Sequence, residues 1–286
     1  MKFVRLFLLL TLCVSLLVGG GYLLGTEAMF FGILISLSVL GGLFWLSERI
    51  VMKICNAELL TVYHSPTIFG AVKDLCQKAN LPMPRIYVVP GETPNAFSAG
   101  LGRRRSAIAV TEGIISHLSA DELRAVLAHE LMHIKSRDNL VGSLAATFAG
   151  ISGMGIGRHA SAKLVADDVS RLRRIGRTTL TGFKSAVAPF AAMIIQSLVK
   201  GAREFHADER AARLSGDPLV MANAIRTMEK KKHQMPLYVS PVVAHLFTVS
   251  PLTTGRFARL FNTHPPMEDR IARLEHLARN SKRVQA

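Results

Sequence analysis

Apolar residues dominate two long stretches near the start of the chain, residues 6–25 and residues 28–47. Neither stretch carries a charged side chain, and each is 20 residues long. A helix needs about 20 apolar residues to cross the hydrocarbon core of a membrane, so each stretch has the length of a span. Glu27 is the one charged residue between them. The pattern therefore predicts a transmembrane helical hairpin over residues 1–50.

Basic residues flank this predicted hairpin on both outer sides. Lys2 and Arg5 precede the first stretch, and Arg49 and Lys53 follow the second. Because positive charges favour the cytoplasmic side, we expect the N-terminus and everything from about residue 50 in the cytoplasm. A cleaved signal peptide is the alternative interpretation of the first stretch, but its apolar run is longer than usual and no small-residue cleavage site follows.

Beyond residue 50 the apolar residues recur at the spacings of helices and strands rather than in long uninterrupted runs. Residues 50–84 carry an apolar stripe at helical spacing and are predicted to be helical up to a proline-containing linker. Three β-rich runs predict a small antiparallel β-meander, at residues 85–89, 95–100 and 106–111. We therefore expect a mainly α membrane protein in which residues 51–286 form a cytoplasmic domain.

Helix-start signals mark the later part of this domain. Ser119 followed by Glu122 is a capping box, which predicts a helix over about residues 120–138. Asp217 before Pro218 marks the start of another helix, because proline is favoured at the first helical position. Two more helices are predicted at about residues 201–214 and 266–280.

Composition and charge narrow the class of protein. Charged residues make up 19% of the chain, below the roughly 25% of an ordinary soluble domain, which favours a membrane protein over a disordered or fibrous one. The net charge of +15 attracts either nucleic acid or an anionic membrane surface. Aromatic residues are 7% of the chain and do not alternate with basic ones, so we expect no nucleic acid and a bilayer with an anionic cytoplasmic leaflet. The three cysteines form no CxxC motif, which argues against a cysteine zinc site.

The clearest chemistry lies in an HExxH motif at residues 129–133, inside the predicted helix over 120–138. At about 3.6 residues per turn, His129 and His133 share one helix face and can bind one Zn²⁺. Glu130 borders that face, so it can act as a general base towards a water molecule rather than as a ligand. A histidine pair on an ordinary amphipathic helix is the alternative.

A catalytic zinc site needs a third protein ligand. Glu204 and Asp208 lie four residues apart on a predicted helix, so they share a face. Glu204 can complete a site for one Zn²⁺ per chain, while Asp208 accepts the outer N–H of a ligand histidine and fixes its orientation. His206 is a competing ligand but lies off that face. The alternative is a surface helix whose acids pair with neighbouring arginines.

Two further features are candidate contacts to a substrate. The strand-like Asn95-Ala96-Phe97 can present an unpaired edge to an extended substrate backbone. Binding of this kind uses main-chain hydrogen bonds and depends little on the sequence of the substrate. A plain core strand is the alternative. His264 can donate to the oxyanion of the transition state. Its position before Pro265 favours the alternative of an ordinary residue at a helix N-terminus.

Together these motifs resemble the HtpX-type membrane zinc metallopeptidases, in order and over nearly the whole chain. The shared residues are the HExxH motif, Arg203-Glu204 with Ala207-Asp208, Asn95-Ala96-Phe97 and His264-Pro265-Pro266. The resemblance implies a gluzincin-type endopeptidase of the bacterial inner membrane that faces the cytoplasm. It also implies polypeptide substrates, mainly misfolded or damaged membrane proteins, and a role in stress response and quality control alongside an ATP-dependent membrane protease.

Two more apolar stretches, residues 139–157 and 185–199, interrupt the domain and enclose a basic segment, 158–184, for which no family topology is assumed. The HExxH motif and Glu204 lie on either side of these stretches. Because they would bind one ion, the chain between them crosses the membrane twice or not at all. Two crossings would place the basic segment outside, against the positive-inside rule. We favour stretches that lie on or dip into the bilayer, and the spanning alternative stays open.

Two other functions fit part of this pattern. A zinc-stabilised membrane scaffold would bind partners without catalysis, but it would have no need for Glu130 beside His129. A peptidase for one dedicated substrate, such as a prenylated C-terminus, would need a specific pocket, and no motif in the sequence indicates one.

Overall fold

The computed structural model describes residues 25–149, 202–240, 243–251 and 264–285, together with a few residues between 15 and 23. The chain divides into two compact units, residues 1–47 and residues 48–286. Most of the first predicted span, the basic segment 158–184 and the apolar stretch 185–199 lie outside the described residues.

The second predicted span falls in one long helix, α1 (Thr26–Ile54), which begins in the first unit. Large apolar side chains of that unit are exposed along the helix, among them Phe30, Phe31 and Leu34. Across the described ranges, no helix combines the length and the apolarity that crossing a membrane requires. The transmembrane hairpin therefore stays a prediction.

The described residues of the second unit form seven further α-helices. In chain order they are α2 (Pro66–Ala79), α3 (Glu112–His117), α4 (Ala120–Ser136), α5 (Asp138–Ala149), α6 (Ala202–Ser215), α7 (Pro218–Gln234) and α8 (Met267–Gln285). Five of them, α2, α4, α6, α7 and α8, lie where helices were predicted. At the start of α7 the Asp217 side chain accepts a hydrogen bond from the amide of Leu219 at 2.8 Å, so the predicted helix start is confirmed.

Both ends of α4 are fixed by local sequence. Ser119 Oγ accepts from the amide of Glu122 at 3.2 Å, and Glu122 Oε2 accepts from the amide of Ser119 at 2.9 Å. This is the predicted capping box. At the other end, Arg137 takes a left-handed φ of 57° and its amide bonds back to the last turn. The HExxH motif therefore lies well inside a helix of fixed length.

Four short strands form a mixed sheet in the order β1-β2-β4-β3. They are β1 (Glu58–Leu59), β2 (Arg85–Val89), β3 (Ala96–Gly100) and β4 (Ser106–Thr111). β3 pairs antiparallel with β4, but β2 pairs parallel with β4. The predicted antiparallel meander is therefore wrong. After β2 the chain skips one strand position and forms β3 at the edge of the sheet. β4 then fills the position between β2 and β3.

The helical prediction for residues 50–84 is wrong at β1. This strand has two residues, both exposed, and it pairs antiparallel with β2. So short a strand cannot show the alternation of apolar and polar residues by which strands are recognised.

Both faces of the sheet are buried against apolar side chains. On β4, Ile108 and Val110 join a core shared with α2, α4, α6, α7 and α8. Ala107 and Ala109 join a second core, with the end of α1 and with Leu237, Val243 and Phe247. Successive side chains of a strand point to opposite faces, so β4 is buried along its whole length. The sheet thus packs firmly beside α4, which carries the motif.

Candidate metal centre

Two histidines lie on consecutive turns of α4. The Nε2 atoms of His129 and His133 are 3.1 Å apart, as expected for rings four residues apart on one helix face. His129 is fully buried, whereas the side chain of His133 is 13% exposed. The pair can therefore be approached from the side of His133.

Glu204, on α6, faces both rings. Its Oε2 lies 3.5 Å from His129 Nε2, and its Oε1 lies 3.5 Å from His133 Nε2. Two ligands of a tetrahedral zinc ion, each about 2.0–2.1 Å from it, are about 3.3–3.4 Å apart. The three side chains are therefore spaced as the ligands of one ion. In the described part of the chain, no second group of three such residues lies this close together.

Charge at the centre favours a bound cation. Burial would raise the pKa of Glu204, but the charges of His133 and His264 hold it well below its ordinary value. Glu204 Oε2 is buried and makes no hydrogen bond among the described residues. A buried carboxylate oxygen of this kind is stabilised when a cation pairs with it, so the donor set fits a divalent metal.

The outer ring nitrogens of both histidines face carboxylates. Asp208 Oδ1 lies 2.8 Å from His129 Nδ1, and Asp138 Oδ2 lies 3.7 Å from His133 Nδ1. A carboxylate at this position fixes the tautomer and orientation of the ring, which leaves Nε2 for a metal. Burial would lower the pKa of His129, but its hydrogen bond to Asp208 raises it to about 9. Asp138, at the start of α5, was not among the residues predicted from the sequence.

Arg270, on α8, supports the centre and was also missed. Its Nε donates to Asp208 Oδ2 at 2.8 Å, and its Nη2 donates to Oδ1 at 2.7 Å. Both side chains are buried, at 0% and 2% exposure. Burial would raise the pKa of Asp208, but the charge and hydrogen bonds of Arg270 lower it. Asp208 is therefore held as an anion beside His129.

A weak signal for Arg270 does exist in the sequence. Met267, Leu274 and Ala278 form the buried face of α8, and Arg270 falls on the same face at helical spacing. A charged residue among apolar ones at that spacing indicates a buried partner. The sequence does not indicate that the partner is Asp208, because the two residues are 62 positions apart.

We predict that Arg270→Met lowers the free energy of unfolding of the detergent-solubilised protein by about 3–5 kcal/mol, because it leaves Asp208 as a buried charge without its partner. Arg273→Met is the matched control on the same helix. Arg273 is exposed, pairs with Glu209 of α6 and lies over the Phe205 ring, and losing these surface contacts should cost about 2 kcal/mol or less. Denaturant unfolding measures both. Equal losses of unfolding free energy in the two variants would show that the buried Arg270–Asp208 pair stabilises the fold no more than the exposed pair does.

Glu130 follows His129 on α4, does not belong to the ligand group and bonds to a different partner. Its Oε1 accepts a hydrogen bond of 2.6 Å from the hydroxyl of Thr248. Its Oε2 is buried without a hydrogen bond among the described residues. One oxygen of the carboxylate is therefore held, and the other is unpaired.

Of the two remaining histidine candidates, one lies at the centre. The side chain of His264 is 3% exposed, and its Nδ1 is 3.6 Å from Glu204 Oε2. His206 is exposed on α6 and does not belong to the ligand group. On α6, Glu204 rather than His206 therefore belongs to the ligand group.

The tripeptide Asn95-Ala96-Phe97 leads into β3, the outer strand, and is fully buried. The carbonyl of Ala96 accepts from the amide of Thr248 at 2.8 Å. The side-chain amide of Asn95 donates to the carbonyl of Val249 at 2.7 Å. At this position the strand is therefore paired with the chain's own residues rather than unpaired, and its role in substrate binding stays a prediction.

A comparison with protein families settles the class of the molecule. The model of peptidase family M48 matches residues 66–278, which is most of the chain and includes every candidate ligand. The chain belongs to peptidase family M48. As an M48 peptidase it is a metalloprotease, so the predicted enzyme class is confirmed.

Several proteases similar to this M48 chain carry the name Protease HtpX homolog, which confirms the resemblance. The chain is 39% identical to the one from Thermococcus kodakarensis over 273 residues, which are 94% of each protein. It is 41% identical to the one from Desulforapulum autotrophicum over 238 residues, covering 82% of this chain and 76% of that protein.

The fold is similar to that of a solved structure, the crystal structure of S. mikatae Ste24p. The TM-score is 0.51 at 16% sequence identity. The match covers 96% of this chain and 65% of the Ste24p chain. At this identity the likeness concerns the fold alone.

Proposed function

We propose that the protein is a membrane-bound, zinc-dependent endopeptidase that cleaves misfolded or damaged membrane proteins in quality control. The observation that carries the proposal is the grouping of His129, His133 and Glu204 beside Glu130. Three protein ligands next to a carboxylate that does not ligate are the parts that metal-assisted peptide hydrolysis needs.

In the proposed mechanism, His129, His133 and Glu204 would hold one Zn²⁺, which would supply the Lewis acidity that lowers the pKa of water and polarises a scissile carbonyl. Glu130 takes the proton of the attacking water at its unpaired Oε2 and returns it to the leaving amine. Asp208 holds His129 in its ligating orientation. His264, which is buried beside Glu204, donates to the developing oxyanion.

We place the substrate backbone along β3. This strand lies at one edge of the sheet and packs against α4. A substrate that adds as a further strand is bound through its main chain, which permits broad sequence preference. Asn95 and Ala96 are hydrogen-bonded to residues 248–249, and Phe97 forms a bridge with Phe247. The substrate strand would therefore add beyond these residues, towards the end of β3.

The proposed location is a bacterial inner membrane, with the peptidase domain facing the cytoplasm. The net charge of +15 suits an anionic leaflet, and the exposed apolar side chains of α1 suit contact with lipid. An ATP-dependent membrane protease is the proposed functional partner, supported by the resemblance to HtpX-type peptidases alone.

The test is proteolysis by the full chain in detergent. We expect it to degrade casein with zinc and to stop when a chelator removes the metal. We also expect it to degrade a destabilised membrane protein faster than the folded form of the same protein. If the chain binds zinc but cleaves neither substrate, it is the non-catalytic scaffold instead.

A further inference from the structure

Thr248 lies in the segment 243–251, which carries no motif, yet its hydroxyl reaches the carboxylate of Glu130. The distance from Thr248 Oγ1 to Glu130 Oε1 is 2.6 Å, and both residues are 1% exposed. The two residues are 118 positions apart in sequence, so this contact is built by the fold.

We propose that Thr248 is a positioning residue for the general base. Its hydroxyl donates to Oε1 of Glu130 and so reserves Oε2 for the reacting water. The proposal rests on the proposed peptidase function and adds to it a residue that touches neither metal nor substrate.

The single hydroxyl proton of Thr248 has two oxygens within reach. Glu130 Oε1 is 2.6 Å away, and the carbonyl of Ala96 is 3.0 Å away. The Ala96 carbonyl already accepts from the amide of Thr248 at 2.8 Å. Hydroxyl hydrogen bonds to oxygen are about 2.5–3.0 Å long, so the Glu130 contact is a short one and the Ala96 contact is at the long limit. The proton therefore goes to Glu130.

The remaining oxygen of Glu130 has the environment that a general base needs. Oε2 is buried and makes no hydrogen bond with any described residue. A carboxylate that rotates freely would present either oxygen to the water and would leave the other unpaired. With Oε1 held by Thr248, the carboxylate presents one oxygen in one orientation, and orientation of this kind lowers the barrier of a reaction.

The segment that carries Thr248 is itself held in place. The guanidinium of Arg270 donates through Nη1 to the Thr248 carbonyl at 2.7 Å. The rings of Phe247 and Phe97 pack with their centroids 4.7 Å apart. Because Arg270 also binds Asp208, one arginine fixes both the partner of His129 and the partner of Glu130. Thr248 is therefore held by hydrogen bonds and packing, and its hydroxyl keeps a fixed position beside Glu130.

The test compares Thr248→Val, which keeps the shape and removes the hydroxyl, with Thr248→Ser, which keeps the hydroxyl. Casein cleavage by the zinc-loaded full chain is measured together with zinc content and melting temperature. For Thr248→Val we expect kcat to fall by about 10- to 100-fold with KM within about twofold, since loss of orientation affects the chemical step. We expect Thr248→Ser to recover kcat to within about threefold and zinc content to stay at the wild-type value in both.

The matched control is Ser250→Ala on the same segment, whose buried hydroxyl makes no hydrogen bond with a described residue, and which should keep the wild-type kcat. If Thr248→Val does not fold, Thr248→Ala is compared with Thr248→Ser instead. A wild-type kcat in the variant without the hydroxyl overturns the proposal, as does an equal loss in the serine variant. A wild-type chain that cleaves nothing refutes the peptidase function itself, whereas an active wild type with an unaffected Thr248→Val refutes only the role of Thr248.

Discussion

Glu130→Gln is expected to lower kcat/KM for peptide hydrolysis by about 10²- to 10⁴-fold, the usual contribution of a general base. Glutamine keeps the size of the side chain and an oxygen that can accept from Thr248. Its amide cannot take a proton from water, so the chemical step is lost while the metal ligands are untouched. The measurement is casein cleavage by the zinc-loaded protein, with zinc content determined on the same sample.

Glu122→Gln is the matched control for this substitution. Glu122 lies in the first turn of the same helix, and glutamine at its position preserves a capping box. Its kcat/KM should stay near the wild-type value. Substantial proteolysis by Glu130→Gln, with its zinc retained, would show that some other residue serves as the base.

Glu204→Gln is expected to produce the second large effect, loss of the metal. Outer partners of metal ligands are worth about 10- to 100-fold in affinity, so removing a ligand's charge should weaken zinc binding by more than roughly 100-fold. The loss is increased because the buried carboxylate supplies the negative charge between the two imidazoles. Competition with a zinc chelator of known affinity measures the change, and proteolysis should fall with it.

Glu209→Gln is the control on the same helix. Glu209 is partly exposed and pairs with Arg273, away from the histidines. It should bind zinc as the wild type does. If Glu204→Gln retained wild-type zinc affinity, the third ligand would have to come from another residue, and His264 would be the first to test because of its position beside Glu204.

The sequence predicted those parts of the centre that depend on local spacing. The capping box at Ser119 fixes where α4 begins, and the spacing of His129 and His133 then places both rings on one face. The same reasoning on α6 placed Glu204 and Asp208 on one side of a second helix. In each case the residues that matter are within one or two helical turns of each other.

The parts that could not be predicted depend on contacts between distant segments. Arg270 meets Asp208 across 62 positions, and Thr248 meets Glu130 across 118. No periodicity links such residues, because their approach is decided by how α8 and the segment 243–251 pack. The predicted sheet order was wrong for the same reason, because the residue pattern of a short strand does not indicate which strand lies next to it.

The most direct test of the metal-dependent mechanism is a titration of chelator-stripped wild-type protein with zinc, following casein cleavage. Activity should be absent at the start, rise in proportion to added zinc and reach its maximum at one ion per chain. Full proteolysis in the stripped protein, or no recovery at one zinc per chain, would contradict a single catalytic ion held by His129, His133 and Glu204.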